Sequence, residues 1–363
     1  MKLLTIAGTR PQLVKVAAVS RELRKEFTEV LVNTGQHYDY NMAGVFFEQL
    51  NIPKPDYDLG VGSMAHGKQT ANMMIKIEEV VEIEKPDAMV VYGDTNSTLA
   101  GALVASKLHI PVIHIEAGLR SYNKKMPEEI NRVMTDHISD VLFAPTDLAV
   151  SNLRKENIIQ GIYQIGDVMY DAVLYNLNLA EEQHQLEDYD LISKQFILGT
   201  IHRAENTDNI ERMTAIVDAF TKINYKVFLP LHPRTKNKLE EYNLLETLNQ
   251  ADNITIAEPI SYLEMLLLEK HAFAIVTDSG GVQKEAYFAK VPCFTLRDET
   301  EWVETINTGW NTLVNPQMDD LAKSITSFQP QEYIDNLYGD GRAGKKITEI
   351  IKTHFNIETE EVR

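Results

Sequence analysis

The chain has 363 residues, of which 44% are hydrophobic and 24% are charged, values that exclude a disordered or fibrous protein and indicate two domains or one large one. Its 53 acidic and 35 basic residues leave a net charge of −18, which argues against a nucleic acid or an anionic membrane as partner. A single cysteine, Cys293, excludes an internal disulfide and fits a reducing cytoplasm. We expect no signal peptide before Arg10 and no membrane span, because the apolar runs are too short.

Short apolar runs alternate with longer amphipathic segments along nearly the whole chain, which is typical of repeated βα units. In the first half we predict strands at 3–7, 29–33, 88–92, 111–115 and 141–143. In the second half we predict strands at 196–201, 226–231, 254–256, 272–277 and 293–296. Two series of similar length predict an α/β protein with two Rossmann-like, doubly wound domains facing a cleft, since ligands of such sheets bind outside the carboxyl ends of the strands.

The domain boundary is expected after the segment Ile165-Gly166-Asp167-Val168. This gives a first domain over residues 1–168 and a second over 169–339, with a polar helical run from Tyr170 to Leu191 at the start of the second. The tail, 340–363, is predicted to contain a helix over 340–355 that packs back on the first domain.

The first predicted strand runs into Gly8-Thr9-Arg10-Pro11, a tight turn followed by a proline suited to the first turn of a helix. Lys15 lies on the same helical face as Pro11, one turn later. Two cations, Arg10 and Lys15, at a helix N-terminus predict an anion site. The alternative is a pair of ordinary surface cations.

A second strand-to-helix junction carries Asp278-Ser279-Gly280-Gly281, followed by a helix that contains Glu285. Consecutive glycines let backbone N–H groups approach a phosphate closely, and the helix dipole adds attraction. Glu285, one turn inside, is placed to accept hydrogen bonds from the hydroxyls of a nucleotide ribose. The alternative is a glycine turn with a solvated glutamate, but phosphate binding is favoured.

Three acids follow successive predicted elements of the first domain: Asp94, Glu116 and Glu128. Each has a structural alternative, namely a helix cap for Asp94, an ion pair with Arg120 for Glu116, and a first-turn acid favoured by the dipole for Glu128. Together, at the same edge of one sheet, they predict a set of general acids and bases.

Two histidines, His202 and His232, also follow predicted strands and could contact a phosphate or transfer a proton. No His or Cys spacing typical of a metal site occurs, so no metal is expected. The segment Gly60–Ala65 fits a G-x-G-x-x-A pattern but follows a proline-broken stretch, so we interpret it as a loop and expect no nicotinamide cofactor.

Six motifs in order carry a family resemblance: Gly8-Thr9-Arg10-Pro11, Thr34-Gly35-Gln36-His37, Gly93-Asp94-Thr95-Asn96-Ser97, Glu116-Ala117-Gly118-Leu119-Arg120, Pro127-Glu128-Glu129-x-Asn131-Arg132 and Asp278-Ser279-Gly280-Gly281-x-Gln283-x-Glu285. The chain resembles the non-hydrolysing UDP-N-acetylglucosamine 2-epimerases over about residues 1–315. The resemblance implies the glycosyltransferase GT-B architecture, with two Rossmann-like domains and no metal or cofactor. It also implies a cytoplasmic homodimer that supplies cell-surface polysaccharide synthesis.

The resemblance further implies a reaction in which UDP is eliminated to give a 2-acetamidoglucal and then adds back while C2 is protonated from the opposite face. Carried over by position, Asp94, Glu116, Glu128 and His202 are the catalytic group. The positions that match nucleotide and substrate contacts are Arg10, Lys15, Ser279, Gly280, Gly281, Glu285, Arg297 and His232.

Departures from the common family pattern leave alternatives open. The segment Thr300-Glu301-Trp302-Val303-Glu304 replaces Thr-Glu-Arg-Pro-Glu and looks like the branch that acts on UDP-2,3-diacetamido-2,3-dideoxy-glucuronate. Met265 stands where some members have Phe near the uracil. An activating second sugar-nucleotide site is matched at Gln36, His37 and Gln69 but not at Asp39 and Lys68. A GT-B glycosyltransferase remains the alternative of another class.

Overall fold

The computed structural model describes residues 1–36 and 52–357, and the chain divides into two compact units. The first unit combines Met1–Tyr175 with Asp335–Arg363, and the second comprises Asn176–Ile334. The break lies inside one long helix, because Val168–Gln183 is continuous across it.

The first unit is built on a parallel sheet of seven strands in the order β3-β2-β1-β4-β5-β6-β7. The strands are Lys2–Ala7 (β1), Thr28–Asn33 (β2), Tyr57–Asp58 (β3), Ala88–Tyr92 (β4), Val112–Ile115 (β5), Val141–Ala144 (β6) and Ile162–Gln164 (β7). Its helices are Arg10–Glu26 (α1), His66–Glu84 (α2), Asn96–Lys107 (α3), Pro127–His137 (α4), Asp147–Lys155 (α5) and Val168–Gln183 (α6), which crosses the break. The strand order reverses between β1 and β4, so this is a doubly wound sheet with a switch point there.

The second unit repeats the arrangement with six parallel strands in the order β10-β9-β8-β11-β12-β13. The strands are Phe196–Thr200 (β8), Lys226–Pro230 (β9), Ile254–Ala257 (β10), Ala274–Thr277 (β11), Cys293–Thr295 (β12) and Asn311–Leu313 (β13). Its helices are Ala204–Thr207 (α7), Ile210–Thr221 (α8), Pro233–Glu241 (α9), Leu245–Asn249 (α10), Tyr262–His271 (α11), Gly280–Phe288 (α12), Val303–Asn307 (α13) and Leu321–Thr326 (α14). A short 3₁₀ helix covers Leu186–Tyr189.

The central strands of both sheets are buried on both faces, because helices cover each side of a parallel sheet. All residues of β4, β5, β6, β8 and β11 are buried. This explains why these strands are continuous apolar runs in the sequence rather than alternating patterns. The predicted fold class, α/β with two doubly wound domains, is confirmed.

The chain ends on the first unit through the helix Ala343–His354 (α15), which packs against α1. A Cβ on Gly344 would lie 3.1 Å from the carbonyl oxygen of Ala18, so the absence of a side chain permits this close approach. Lys352 Nζ lies 2.5 Å from Glu26 Oε2 at the other end of the contact.

Ten strands were predicted close to their observed bounds, and three short ones, β3, β7 and β13, were missed. β3 has only two residues and lies in the proline-broken stretch that precedes the loop predicted at Gly60–Ala65. The strand predicted to begin at Ala272 begins at Ala274, because the N–H of Ala272 donates to Leu268 O at the end of α11. Among the described residues, no helix is long and apolar enough to cross a membrane.

Candidate active site

A cavity of about 250 Å³ lies in the first unit at the carboxyl ends of its strands. Three residues predicted from the sequence line it, namely Lys15, Asp94 and Glu128. Its other polar side chains are Thr9, Gln12, Gln36, His66, Thr95, Asn96 and Asn131. The parallel topology brings these distant segments together because the loops after successive strands open at the same edge.

The side chain of Gln12 stabilises the turn after β1 through two hydrogen bonds. Its Oε1 accepts from the N–H of Gly8 at 2.9 Å, and its Nε2 donates to the carbonyl of Tyr92 at 2.7 Å. A Cβ on Gly8 would lie 2.0 Å from Thr34 Oγ1, so glycine is required here. Arg10 is the first residue of α1 and is exposed, and it is not among the residues that line the cavity.

Glu116 follows β5 and forms an ion pair with Lys15. The pair is buried, with 6% of the Glu116 side chain and 13% of the Lys15 side chain exposed. Glu116 has a φ of 73°, a left-handed conformation that costs a glutamate free energy and clusters at functional sites. The alternative in which Glu116 pairs with Arg120 is wrong, because Arg120 binds Asp136 instead, Nη1 to Oδ2 at 2.7 Å.

Asp94 follows β4 and faces Arg132, whose Nη1 lies 3.3 Å from its Oδ2. Burial raises the pKa of the Asp94 carboxyl; the Arg132 guanidinium opposes this and the Glu116 carboxylate reinforces it. Asp94 therefore keeps a proton to higher pH than an ordinary aspartate. It is not the cap of the following helix, since the side chain of Thr95 accepts from the N–H of Thr98.

Glu128 lies in the first turn of α4, directly after Pro127, and is exposed at the cavity wall. Its neighbour Glu129 is buried and accepts hydrogen bonds from the backbone N–H groups of Ser121 and Tyr122, both at 2.8 Å. The two adjacent acids therefore differ in their contacts. Glu129 stabilises the preceding loop through backbone hydrogen bonds, whereas Glu128 lines the cavity.

In the second unit, the fully buried Asp278 organises the turn after β8. Its carboxylate accepts from the backbone N–H of His202 at 3.1 Å and from that of Arg203 at 3.0 Å. The ring of His202 lies beside it, with Nδ1 3.3 Å from Asp278 Oδ1, and 6.3 Å from the ring of His232 between centroids. Burial lowers the pKa of His202 despite the nearby Asp278 carboxylate, which favours the neutral ring.

The helix α12 begins at the predicted glycine pair. Ser279 is its N-cap, and the hydroxyl accepts from the N–H of Val282. The first-turn N–H groups of Gly280 and Gly281 have no partner within the helix and point along its axis, which is the arrangement that binds phosphate. A Cβ on Gly280 would lie 2.4 Å from Glu301 Oε1, so a side chain here would displace Glu301.

Glu285 is buried one turn further along α12, and Tyr262 donates its hydroxyl to Glu285 Oε1 at 3.0 Å. Burial raises the pKa of Glu285, opposed by this hydrogen bond and by Lys284. The sequence reasoning missed a second buried carboxyl nearby, Glu269, whose pKa is raised well above the usual value by burial and by the charge of Glu285. Glu269 follows the apolar run 265–268 of α11 but directly precedes Lys270 and His271, so the sequence pattern gives no signal that it is buried.

Arg297 follows β12 and is also buried, with Nη1 2.8 Å from Glu301 Oε2. Arg203 Nη2 lies 3.9 Å from the other Glu301 oxygen. Burial acts to raise the pKa of Glu301, but the two guanidinium groups outweigh it and the pKa is lowered. Glu301, missed as a site residue, therefore places an ionised carboxylate beside the glycine pair.

Of the residues matched to a second sugar-nucleotide site, Gln36 and Gln69 are joined by a long hydrogen bond from Gln69 Nε2 to the Gln36 carbonyl at 3.4 Å. His37 and Asp39 lie outside the described residues. The Gly60–Ala65 segment is a loop, as predicted, and α2 begins directly after it. Within residues 1–36 and 52–357, no group of three or more His, Cys, Asp or Glu side chains could hold a metal ion.

Comparison with known proteins places this site in a family. A family model described as UDP-N-acetylglucosamine 2-epimerase matches residues 21–352. A UDP-N-acetylglucosamine 2-epimerase homolog of Methanococcus maripaludis is 51% identical over 355 residues, covering 97% of this chain and 99% of the relative. A UDP-2,3-diacetamido-2,3-dideoxy-D-glucuronate 2-epimerase of Pseudomonas aeruginosa is 47% identical, again over 97% of this chain and 99% of its own length.

A comparison with solved structures identifies the same family. The crystal structure of Methanocaldococcus jannaschii UDP-GlcNAc 2-epimerase in complex with UDP-GlcNAc and UDP matches with a TM-score of 0.84 at 47% identity, over 97% of this chain and all of that one. The resemblance drawn from the six motifs is confirmed. The chain belongs to the UDP-N-acetylglucosamine 2-epimerase family of isomerases.

Proposed function

We propose that the chain interconverts UDP-N-acetylglucosamine and UDP-N-acetylmannosamine without hydrolysis. The observation that carries the proposal is the convergence of Lys15, Asp94 and Glu128 on one cavity, with Glu116 paired with Lys15. Relatives at 51% and 47% identity are named as a homolog of this epimerase and as the epimerase itself, and a solved structure at 47% identity holds UDP-GlcNAc and UDP.

The chemistry explains why several carboxylates are needed. The C2 hydrogen of the sugar is not adjacent to a carbonyl, so direct deprotonation and reprotonation would be too slow. Elimination of UDP gives a 2-acetamidoglucal, and re-addition with protonation on the opposite face inverts C2. Two faces of one carbon need separate proton carriers, and Asp94, Glu116 and Glu128 are proposed to supply them. The raised pKa of Asp94 suits proton transfer closer to neutral pH.

The departing UDP gains negative charge as the C1–O bond breaks, and the proposed nucleotide contacts would stabilise it. In the first unit these are Arg10 and Lys15. In the second unit they are His202, His232, Ser279, Gly280, Gly281 and Arg297. Glu285 is proposed to accept hydrogen bonds from the ribose hydroxyls, because its carboxyl lies one turn inside the helix that would hold the phosphates.

The test is incubation with UDP-N-acetylglucosamine in deuterated water, followed by NMR of the products. We expect the manno epimer with deuterium at C2 and with UDP still attached. Free sugar and UDP would instead identify a hydrolysing enzyme. Sugar transfer to an acceptor without exchange at C2 would identify a glycosyltransferase, and either result would reject the proposal.

A second substrate has a specific observation in its favour. The Pseudomonas aeruginosa relative named for UDP-2,3-diacetamido-2,3-dideoxy-D-glucuronate is as similar, at 47% identity, as relatives named for UDP-N-acetylglucosamine. Trp302, at the departure from the common pattern, stacks on the buried Lys284 with Nζ 4.1 Å from the ring centroid. Exchange at C2 with the diacetamido-glucuronate nucleotide alone would assign the chain to that branch.

We also propose that the protein acts as a homodimer in the cytoplasm and supplies a nucleotide sugar for cell-surface polysaccharide. Family membership supports the dimer, and the single cysteine, which cannot form an internal disulfide, fits the reducing cytoplasm. Light scattering of the purified protein would give twice the 41.2 kDa chain mass if the dimer forms. A monomeric mass at micromolar concentration would reject it.

A further inference from the structure

Behind the two loops that carry Asp94 and Glu116 lies a histidine that the proposed mechanism does not use. His114 is a residue of β5, in the run Val112–Ile115, and its side chain is fully buried. A polar ring in the middle of a buried strand costs free energy unless both its nitrogens are hydrogen-bonded. Both ring nitrogens of His114 have an oxygen partner.

One ring nitrogen, Nδ1, lies 2.7 Å from Asp136 Oδ1, and the other, Nε2, lies 2.8 Å from the carbonyl oxygen of Gly93. A carbonyl oxygen can only accept a hydrogen bond, and so can an ionised carboxylate. A neutral imidazole has one donor and one acceptor nitrogen, so it would direct a lone pair at one of these oxygens. Only a ring protonated at both nitrogens satisfies both contacts.

Asp136 is held in its ionised form by three donors. Besides the ring of His114, its Oδ2 accepts from the N–H of Gly118 at 3.1 Å and from Arg120 Nη1 at 2.7 Å. Burial acts to raise the pKa of Asp136, but its ion-pair and hydrogen-bond partners lower it, and two of them, Arg120 and the N–H of Gly118, are donors whatever the state of His114. The carboxylate therefore needs no proton of its own.

The charges around the ring also balance. Arg120 reaches past Asp136 to Glu156, with Nε and Nη2 at 2.7 and 2.8 Å from the two carboxylate oxygens. His137 lies on the outer side of Glu156, Nε2 to Oε2 at 3.2 Å. A cationic His114 lets the fully buried Asp136 share its charge with two cations, whereas a neutral His114 would leave it only Arg120, which also serves the half-buried Glu156.

The cluster formed by His114, Asp136 and Arg120 contacts both the loop that carries Asp94 and the loop that carries Glu116. Gly93 directly precedes Asp94, and its peptide is fixed at both ends, since its N–H donates to Ile115 O at 2.9 Å while its carbonyl accepts from His114. Gly118 is two residues after Glu116, and its N–H donates to Asp136. Both glycines have positive φ, 62° and 82°, so the loops depend on these contacts to keep their shape.

We propose that His114, protonated at both ring nitrogens and paired with Asp136, is a positioning residue that sets the separation of Asp94 and Glu116. It touches neither substrate nor reacting atoms. This inference rests on the proposed function for the role of the two acids, but the protonation of His114 does not depend on it. A displacement of about 1 Å in a catalytic group can reduce turnover about 10²-fold, so the positioning has a measurable consequence.

The first experiment is ¹⁵N NMR of the whole protein labelled at histidine. We expect one of the ten histidines to show two protonated ring nitrogens whose protons exchange slowly with solvent, because His114 is fully buried. Loss of that signal in the variant His114→Gln assigns the signal to His114. If the variant does not fold, the slow exchange of the ring protons in the wild type identifies the signal as that of the buried His114. Finding no such ring, or a buried ring with a single proton, would overturn the inference.

The second experiment compares two neutral replacements, each of which retains a donor near one nitrogen position. His114→Asn keeps a donor toward Asp136, and His114→Gln keeps one toward the Gly93 carbonyl. We expect both to lower kcat about 10–100-fold with a much smaller change in the Kd for UDP, because the proposed phosphate and ribose contacts of the second unit are untouched and Lys15 is retained. Wild-type kcat in both variants would overturn the positioning role.

The matched control is His109→Asn. His109 is exposed in the turn between α3 and β5 and has a φ of 58°, which asparagine tolerates. We expect the kcat of His109→Asn, and the NMR signals of the His114 ring in this variant, to match those of the wild type. A protein inactive on every UDP-sugar that still shows the doubly protonated ring would reject the proposed function and leave the protonation of His114 established.

Discussion

Lys15 and Glu116 form a buried ion pair although 101 residues separate them in the sequence. Lys15 comes from the first helix and Glu116 from the loop after β5, and Gly93 leaves room beside them, since a Cβ there would lie 3.1 Å from Glu116 Oε2 and 3.8 Å from Lys15 Nζ. The pair therefore joins α1, which lines the cavity, to the loop after β5 through one contact that only the fold creates.

Removing one partner of this pair should destabilise the protein. Lys15→Met removes a cation that is paired with the buried Glu116 carboxylate, and the free energy of unfolding should fall by about 3 kcal/mol. The double variant with Glu116→Gln should recover part of that loss. Urea denaturation measures all three, and Lys25→Met, in an exposed pair with Glu22, is the control expected to cost less than about 1 kcal/mol. Equal losses at Lys15 and Lys25 would contradict the buried pair.

Asp94→Asn should separate turnover from nucleotide binding. It removes a proton carrier without touching the phosphate contacts, so kcat should fall about 10²–10⁴-fold while the Kd for UDP stays the same. Arg10→Ala should instead weaken UDP binding, because it leaves pyrophosphate charge unmatched. Isothermal titration and steady-state kinetics distinguish the two, with exposed Asp252→Asn as the neutral control. Wild-type kcat in Asp94→Asn would reject its catalytic role.

Arg132→Gln should shift the pH dependence of the reaction upward. The Arg132 guanidinium stabilises ionised Asp94, so its removal raises the pKa of Asp94 further. The limb of the kcat/KM profile that reports Asp94 should then move to higher pH, whichever protonation state the reaction requires. Arg132→Lys keeps the charge and should leave that limb closer to the wild type. A shift to lower pH would show that another group controls the limb.

Glu285→Gln should reduce the ability to distinguish ribose from deoxyribose. The wild type should bind UDP more tightly than 2′-deoxy-UDP, because a hydrogen bond to a charged group contributes about 1.5–3 kcal/mol, roughly 10-fold or more in Kd. The variant should bind the two more nearly alike. Exposed Glu299→Gln is the matched control. Undiminished discrimination in Glu285→Gln would place the ribose elsewhere.

Cys293 should be unreactive in the folded protein. Its side chain is 1% exposed, and burial raises the pKa of the thiol to about 12 against a small opposing effect of Thr295, so almost no thiolate exists at neutral pH. We expect alkylation by iodoacetamide, followed by mass spectrometry, only above the urea concentration that unfolds the second unit. Rapid labelling in native buffer would contradict this burial.

Much of the fold was predictable because parallel strands buried on both faces are continuous apolar runs. β4 was predicted with its observed bounds for that reason, and β8 to within one residue. The missed strands β3, β7 and β13 are two or three residues long, with residues of intermediate exposure. Their strand conformation comes from pairing with a neighbour at the sheet edge, which leaves little pattern in the local sequence.

The sequence by itself determined the α/β class, the two series of strands and the positions of Asp94, Glu116 and Ser279 after strands, because hydrophobic periodicity and glycine turns are local properties of the chain. Only the tertiary structure decided which charges meet. It paired Glu116 with Lys15 rather than with the nearby Arg120, and it directed both ring nitrogens of His114 at oxygens. Partner choice among ionised groups depends on distance and burial in three dimensions, and neither can be read from spacing along the chain.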